Sequence, residues 1–260
     1  MSLVETDWLE KNLSTVKIVD CSWHMPQTKR NGYEEYKSLH IPHSIFFDID
    51  KNSRKDTSLP HMLIDQISWD TIVSNMGIRK NDQIVIYDNS DVLSSCRGWF
   101  NFIYYGHDPK LVNVLNGGLK KWLKEKKKVT DEISKIHISD YKSTERKDLV
   151  KSKEAIDQNI EEKKFTLIDA RSRERFEGKI PEPRKGLRSG CIKNSFCIPF
   201  NNCLNDDKTF KNKDNLQKIF KTSLENLEQQ NIVFSCGSGV TACVLALAYS
   251  LINDKYLPCI

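Results

Sequence analysis

No apolar run in this sequence approaches the roughly 20 residues that a bilayer-crossing helix requires, so no membrane span is expected. The first residues, Met1-Ser2-Leu3-Val4-Glu5, lack the basic, apolar and small-residue regions of a secretory signal, and the cytoplasm is the expected location. The eight cysteines include no CxxC pair and no regular framework. Neither a zinc ribbon nor a disulfide scaffold is therefore indicated. Charge of one sign is also not concentrated: 40 Lys and Arg are interspersed with 35 Asp and Glu, for a net charge of +5. The densest basic cluster, Lys120 to Lys128, surrounds Trp122 and Leu123 and reads as a solvated helix end. Nucleic-acid binding is not expected, whereas a mild positive excess suits the attraction of small anions.

What is present is a chain of 260 residues, 38% hydrophobic and 29% charged, long enough for two domains of ordinary size. Short apolar, β-branched runs alternate with helical patterns, as in parallel α/β units. Val16-Lys17-Ile18-Val19-Asp20 and Phe165-Thr166-Leu167-Ile168-Asp169 are buried-strand runs ending in aspartate, 149 residues apart. Gln83-Ile84-Val85-Ile86-Tyr87-Asp88 matches Asn231-Ile232-Val233-Phe234-Ser235-Cys236 at an offset of 148 residues. Two matches at nearly one offset indicate a duplication. Helices are expected from Ser94 to Tyr105 and from Val240 to Ile252, and a polar linker at residues 142–148 between domains spanning 1–141 and 149–260. The halves differ where the matched strand ends. The first copy has Asp88, the second Cys236, so only one copy carries a nucleophile there.

Cys236-Gly237-Ser238-Gly239-Val240-Thr241-Ala242 lies between a buried strand and a strongly apolar helix. Two glycines let the backbone curl with several N–H groups pointing inward, and the following helix adds its positive end. A thiolate is stabilised in such a cradle, as a sulfur nucleophile requires. A buried structural cysteine in a glycine-rich turn is the alternative. A phosphatase-like loop needs arginine six residues after the cysteine to grip phosphate, and Ala242 stands there instead. Cys243, two helical turns beyond Cys236, is expected to be buried rather than to act as a resolving thiol.

The loop and several other stretches together resemble the two-domain rhodanese family of sulfurtransferases, and within it the 3-mercaptopyruvate branch. The resemblance runs through Val19-Asp20-Cys21-Ser22-Trp23, His40-Ile41-Pro42, Phe46-Phe47-Asp48-Ile49-Asp50, His61-Met62-Leu63, Leu115-Asn116-Gly117-Gly118-Leu119 and Glu182-Pro183-Arg184. It implies an α/β fold of two tandem rhodanese-like domains, each a mostly parallel sheet flanked by helices. It also implies that Cys236 carries sulfur as a persulfide, cradled by Gly237, Gly239, Val240 and Thr241. That no metal or organic cofactor is needed is what a mechanism in which sulfur itself is the carried group implies. Arg175 and Arg184 match the residues that hold the donor's carboxylate and keto oxygen, a task suited to guanidinium forks. Asp48, His61 and Ser238 match a proposed relay in which Ser238 donates toward the leaving enolate, His61 passes the proton and Asp48 fixes the imidazole. Asp88 is read as a relic of the first copy's site, paired with Arg97.

Thiosulfate-using relatives resemble Cys-Arg-Lys-Gly-Val-Thr, whose cations suit a dianion. Gly237 and Ser238 replace both, and a neutral loop fits the monoanionic donor 3-mercaptopyruvate, with a small thiol, thioredoxin or cyanide as acceptor. The competing readings are a thiosulfate:cyanide sulfurtransferase, a non-catalytic rhodanese-like sulfur carrier or binding module, and an inert structural protein. The sequence departs from the family at Gly190-Cys191-Ile192-Lys193-Asn194, which loses the His, Pro and Gly of the usual Gly-His-Ile-Pro-Gly, and at His43, where a glycine is usual. A final strand is expected over Tyr256 to Ile260, where relatives continue into an Asp-Gly-Ser-Trp tail whose absence is expected to weaken stability or donor binding.

Overall fold

A computed structural model describes residues 2–184, 186–223, 231–253, 256, 258 and 259. The chain divides into two compact units, Met1–Lys147 with Asp207–Thr209, and Asp148–Asp206 with Phe210–Ile260.

In the first unit, β1 (Leu3–Val4) and α1 (Thr6–Asn12) lead to β2 (Lys17–Asp20), α2 (Gly32–Ser38) and β3 (Ser44–Phe46). Then follow α3 (Gln66–Asn75), β4 (Ile84–Tyr87), α4 (Ser95–Tyr104), β5 (Val112–Leu115) and α5 (Gly118–Lys124). The strands form one sheet in the order β1-β5-β4-β2-β3, parallel throughout. Every residue of β4 and β5 is buried, as the continuous apolar runs of a sheet covered on both faces require. Asn31 caps α2 by accepting from the N–H groups of Tyr33 and Glu34, and Asp65 caps α3 through Ser68, satisfying donors that a helix start leaves open. All ten residues of α4 are buried, so the helix packs on all sides.

The second unit holds α6 (Lys153–Glu162), β6 (Thr166–Asp169), α7 (Arg173–Phe176), β7 (Phe196–Cys197), α8 (Lys213–Ser223), β8 (Ile232–Ser235) and α9 (Thr241–Asn253). Its sheet runs β7-β6-β8, also parallel. Cys259 bridges Phe234 on one side and Val150 on the other, both in parallel sense. This continues the order so that it repeats the first sheet, with β7, β6 and β8 in the places of β3, β2 and β4. Cys259 and Val150 stand in the places of β5 and β1. The duplication inferred from two strand offsets is thus a duplication of topology. The expected helices from Ser94 and Val240 are α4 and α9. Of the expected last strand, Leu257 and Ile260 lie outside the described residues.

The segment read from composition as a linker is hydrogen-bonded along the first unit. Ser143 N–H donates to Asp70 Oδ1 (2.8 Å), Thr144 N–H to the Tyr105 carbonyl (3.0 Å) and Arg146 N–H to the Tyr104 carbonyl (2.6 Å). Among the described residues no helix is long and apolar enough to cross a membrane.

Candidate active site

Both parallel sheets end, at the carboxyl ends of their central strands, in polar residues, the place where open α/β sheets bind ligands. In the second unit β8 delivers Cys236 at its end, half-buried, while Ile232 to Ser235 behind it are buried. The loop then turns through Gly239, whose φ of 71° is left-handed and strains any residue with a Cβ. Val240 is buried beneath it and α9 begins at Thr241. Cys243 is fully buried and its thiol donates to the Gly239 carbonyl at 3.0 Å, which ties the helix to the loop. Burial pushes the thiols of Cys197 and Cys203 up, to about 11 and about 12, and raises that of Cys21 as well. These three are held as thiols, whereas Cys236 stands at the edge of solvent in a loop that opens onto a helix start.

The arginines are placed by a buried ion network. Asp169, at the end of β6, is gripped by Arg171, whose Nε lies 3.0 and 2.9 Å from its two oxygens and whose Nη2 lies 2.5 Å from Oδ2. Arg171 also donates from Nη1 to Glu182 Oε1 (2.8 Å) and from Nη2 to the Gly190 carbonyl (2.8 Å). Arg175 leaves α7, whose first turn is capped by Ser172, and forms a fork on Glu182: Nε to Oε1 at 3.1 Å and Nη2 to Oε2 at 2.5 Å. The Arg175 guanidinium, foremost, and then Arg171 hold the Glu182 carboxyl below its usual value despite burial. A Cβ built on Gly237 would lie 3.2 Å from Arg175 Nη2, and Arg184 Nη1 donates to the Gly237 carbonyl at 3.1 Å. Both expected donor-binding arginines therefore converge on the residue after Cys236.

Asp48 and His61 belong to the first unit, and there the expected pairing is corrected. His61 Nε2 meets Asp50 Oδ1 at 2.9 Å, not Asp48. Asp50 Oδ2 accepts from Trp23 Nε1 at 2.9 Å, and the Trp23 ring lies edge-on to the imidazole with centroids 4.9 Å apart. Asp48 opens a turn and caps it, accepting the Lys51 N–H at 2.9 Å with Lys51 Nζ 3.5 Å away. An aspartate at the first position of a turn bonds the backbone ahead of it, so the next acid in the chain is left for the imidazole. His61 is buried with a left-handed φ of 58°, and its Nδ1 has no partner among the described residues.

The first unit's counterpart of Cys236 also has a definite surrounding. Asp88 Oδ1 accepts the Ser90 N–H at 2.8 Å and Oδ2 the Ser95 N–H, at the start of α4, at 2.7 Å. The loop donors that would face a ligand are occupied by the chain's own carboxylate. Arg97, expected beside Asp88, reaches Asn101 Oδ1 at 2.8 Å and the His61 carbonyl.

Sequence reasoning passed over Asp50 and Glu182. Both lie inside the stretches that carry the resemblance, Asp50 two residues after Asp48 and Glu182 two residues before Arg184.

Comparison with known proteins identifies the family and the fold. The Rhodanese-like domain family matches residues 5–125 and 152–256. The thiosulfate/3-mercaptopyruvate sulfurtransferase 1, mitochondrial, of Arabidopsis thaliana is 36% identical, covering 98% of this chain and 73% of its own. The thiosulfate sulfurtransferase of Rattus norvegicus is 36% identical over 95% of this chain and 85% of its own. The crystal structure of SseA from Escherichia coli, described with the 3-mercaptopyruvate sulfotransferases, superposes with a TM-score of 0.89 at 26% identity, covering 100% of this chain and 97% of that one.

Proposed function

Because this chain belongs to the rhodanese-like family of sulfurtransferases, we propose that Cys236 takes sulfane sulfur from 3-mercaptopyruvate and passes it to a thiol or to cyanide. The observation that carries this reading is the convergence of Arg175 and Arg184 on Gly237, one residue from the nucleophile. Two guanidinium groups at that distance suit a small keto acid, because a planar fork orients a carboxylate and a second cation takes the keto oxygen.

In the first half-reaction the Cys236 thiolate attacks the donor sulfur. An S–S bond forms, the C–S bond breaks, and its electron pair leaves as the enolate of pyruvate, which takes up a proton. Arg175 and Arg184 stabilise the charge that grows on the enolate oxygen. Ser238, two residues after the nucleophile, offers its hydroxyl to the same charge, and proton transfer falls to His61 with Asp50 in the role first read for Asp48. In the second half-reaction a small thiol, thioredoxin or cyanide attacks the outer sulfur, and the thiolate of Cys236 returns. Gly237, Gly239, Val240 and Thr241 supply the cradle for both sulfur anions.

The Arabidopsis relative bears both donor names and the rat relative only thiosulfate, so thiosulfate is the second reading. Gly237 and Ser238, which lack the cations suited to a dianion, favour the keto acid. Purified protein incubated separately with each donor, with dithiothreitol or cyanide as acceptor, decides between them. Faster turnover with 3-mercaptopyruvate, one added sulfur by intact mass, and loss of both in Cys236→Ser are the expected results. Preference for thiosulfate would overturn the donor, and no added sulfur from either would overturn the nucleophile.

A further inference from the structure

Among its described residues, the stretch between α7 and β7 has no helix or strand of its own, and those from Glu177 to Ser189 are mostly exposed. It nonetheless carries Arg184 to the Cys236 loop. One side chain departs from that exposure: Glu182, 4% exposed, is buried between Arg171 and Arg175. Each of its oxygens has a partner. Oε1 accepts from Arg171 Nη1 at 2.8 Å and from Arg175 Nε at 3.1 Å, and Oε2 accepts from Arg175 Nη2 at 2.5 Å.

We infer that Glu182 is a positioning residue for the donor: it fixes the Arg175 fork over Gly237 and moors the loop that brings Arg184 to the same point. This rests on the proposed role of the two arginines. A free arginine samples many rotamers, and holding one costs entropy at each binding event. Glu182 removes that cost by holding two of the donors of Arg175, Nε and one on Nη2, in a bidentate grip, while Nη1 and the remaining Nη2 hydrogen are left for a donor anion. Arg171, locked on Asp169 at the end of β6, anchors the carboxylate to the sheet, so the chain of contacts runs from a rigid strand to a mobile type of side chain. Gly237 belongs to the same device. A Cβ there would meet Arg175 Nη2 at 3.2 Å, and the fork cannot swing aside while Glu182 holds it.

The test compares Glu182→Gln and Glu182→Asp with wild type, using 3-mercaptopyruvate and, as a donor without carboxylate, inorganic tetrasulfide, each with saturating dithiothreitol. Glu182→Gln is expected to raise KM for 3-mercaptopyruvate about tenfold or more with a smaller change in kcat, and to leave sulfur loading from tetrasulfide near wild type. Glu182→Asp, which keeps the charge, recovers part of the loss. In an Arg175→Lys background the Glu182→Gln change costs less than it does in wild type, because the fork it positions is already gone and only the mooring through Arg171 remains to be lost. Equal losses with both donors, or effects of Glu182→Gln and Arg175→Lys that simply add, would overturn the inference and leave Glu182 a structural pin. Wild-type turnover tests the donor reading separately: if thiosulfate proves to be the donor, the same variant-to-wild-type ratios are read with thiosulfate against tetrasulfide.

Discussion

At His61 the imidazole Nε2 lies 2.9 Å from Asp50 Oδ1, while Asp48, two residues earlier, turns its carboxylate to the Lys51 N–H. The two acids are chemically alike and differ only in where a turn begins. Asp50 is further held by Trp23 Nε1, and its carboxyl is kept below the ordinary value chiefly by the His61 hydrogen bond. A carboxylate so placed fixes which ring nitrogen carries the proton. Asp50→Asn removes the charge and keeps the shape; turnover with 3-mercaptopyruvate should fall about tenfold or more, with a shifted pH profile. Asp48→Asn should leave turnover within about twofold, since a turn cap is exchanged for another good one. Equal effects of the two substitutions would remove Asp50 from the proton path. The sequence made an acid near His61 legible through its motif. It could not say which, because i and i+2 acids are told apart only by the dihedrals between them.

The loop after β8 holds its shape through Gly239 at φ 71° and through the Cys243 thiol on the Gly239 carbonyl, both set by the start of α9. Gly239→Ala forces a Cβ into the left-handed region at a cost of about 1–2 kcal/mol, which a denaturation midpoint reads directly. The same change tilts the N–H groups around Cys236, so sulfur loading by intact mass should slow beyond what the stability loss explains. Unchanged loading would mean that the cradle is not set by this residue. The strand and helix of this region are plain in the sequence because β8 opens with three apolar residues and is buried throughout, and α9 is apolar along most of its length. The short strands β3 and β7 and the four-residue α7 carry too few residues for a period to register. Glu182 was invisible for a different reason: its two arginines lie seven and eleven residues before it, across a stretch with no periodicity at all.

Across the whole molecule the duplication leaves two sheets of one topology with opposite electrostatics at their carboxyl ends. In the second unit Asp169 has Arg171 against it. In the first, Asp20 occupies the matching strand end, accepts the Ser22 N–H at 2.8 Å, and has Asp88 near it instead of a guanidinium. Burial, with a smaller contribution from Asp88, pushes the Asp20 carboxyl up from 3.8 to about 7, and Asp88 is raised as well, chiefly by burial. In the unfolded chain Asp20 loses its proton near pH 4, whereas in the fold it keeps it to about pH 7. Between these values the folded state holds a proton at Asp20 that the unfolded state has lost, so the contribution of Asp20 to stability falls as pH rises, by at most about 4 kcal/mol, and levels off above pH 7. Burial lowers His107 below 6.5, which gives a slope of the opposite sign below that pH, but it is common to wild type and variant. Trp8, Trp23, Trp69, Trp99 and Trp122, the chain's five tryptophans, all lie in the first unit, so their fluorescence follows that unit alone. Urea titrations at pH 5 and pH 8 should show the tryptophan midpoint dropping with pH in wild type and dropping less in Asp20→Asn, whose amide has no proton to lose. An equal drop in both proteins would place the pH dependence elsewhere than at the end of β2, and the electrostatic contrast between the two copies would then have no thermodynamic consequence.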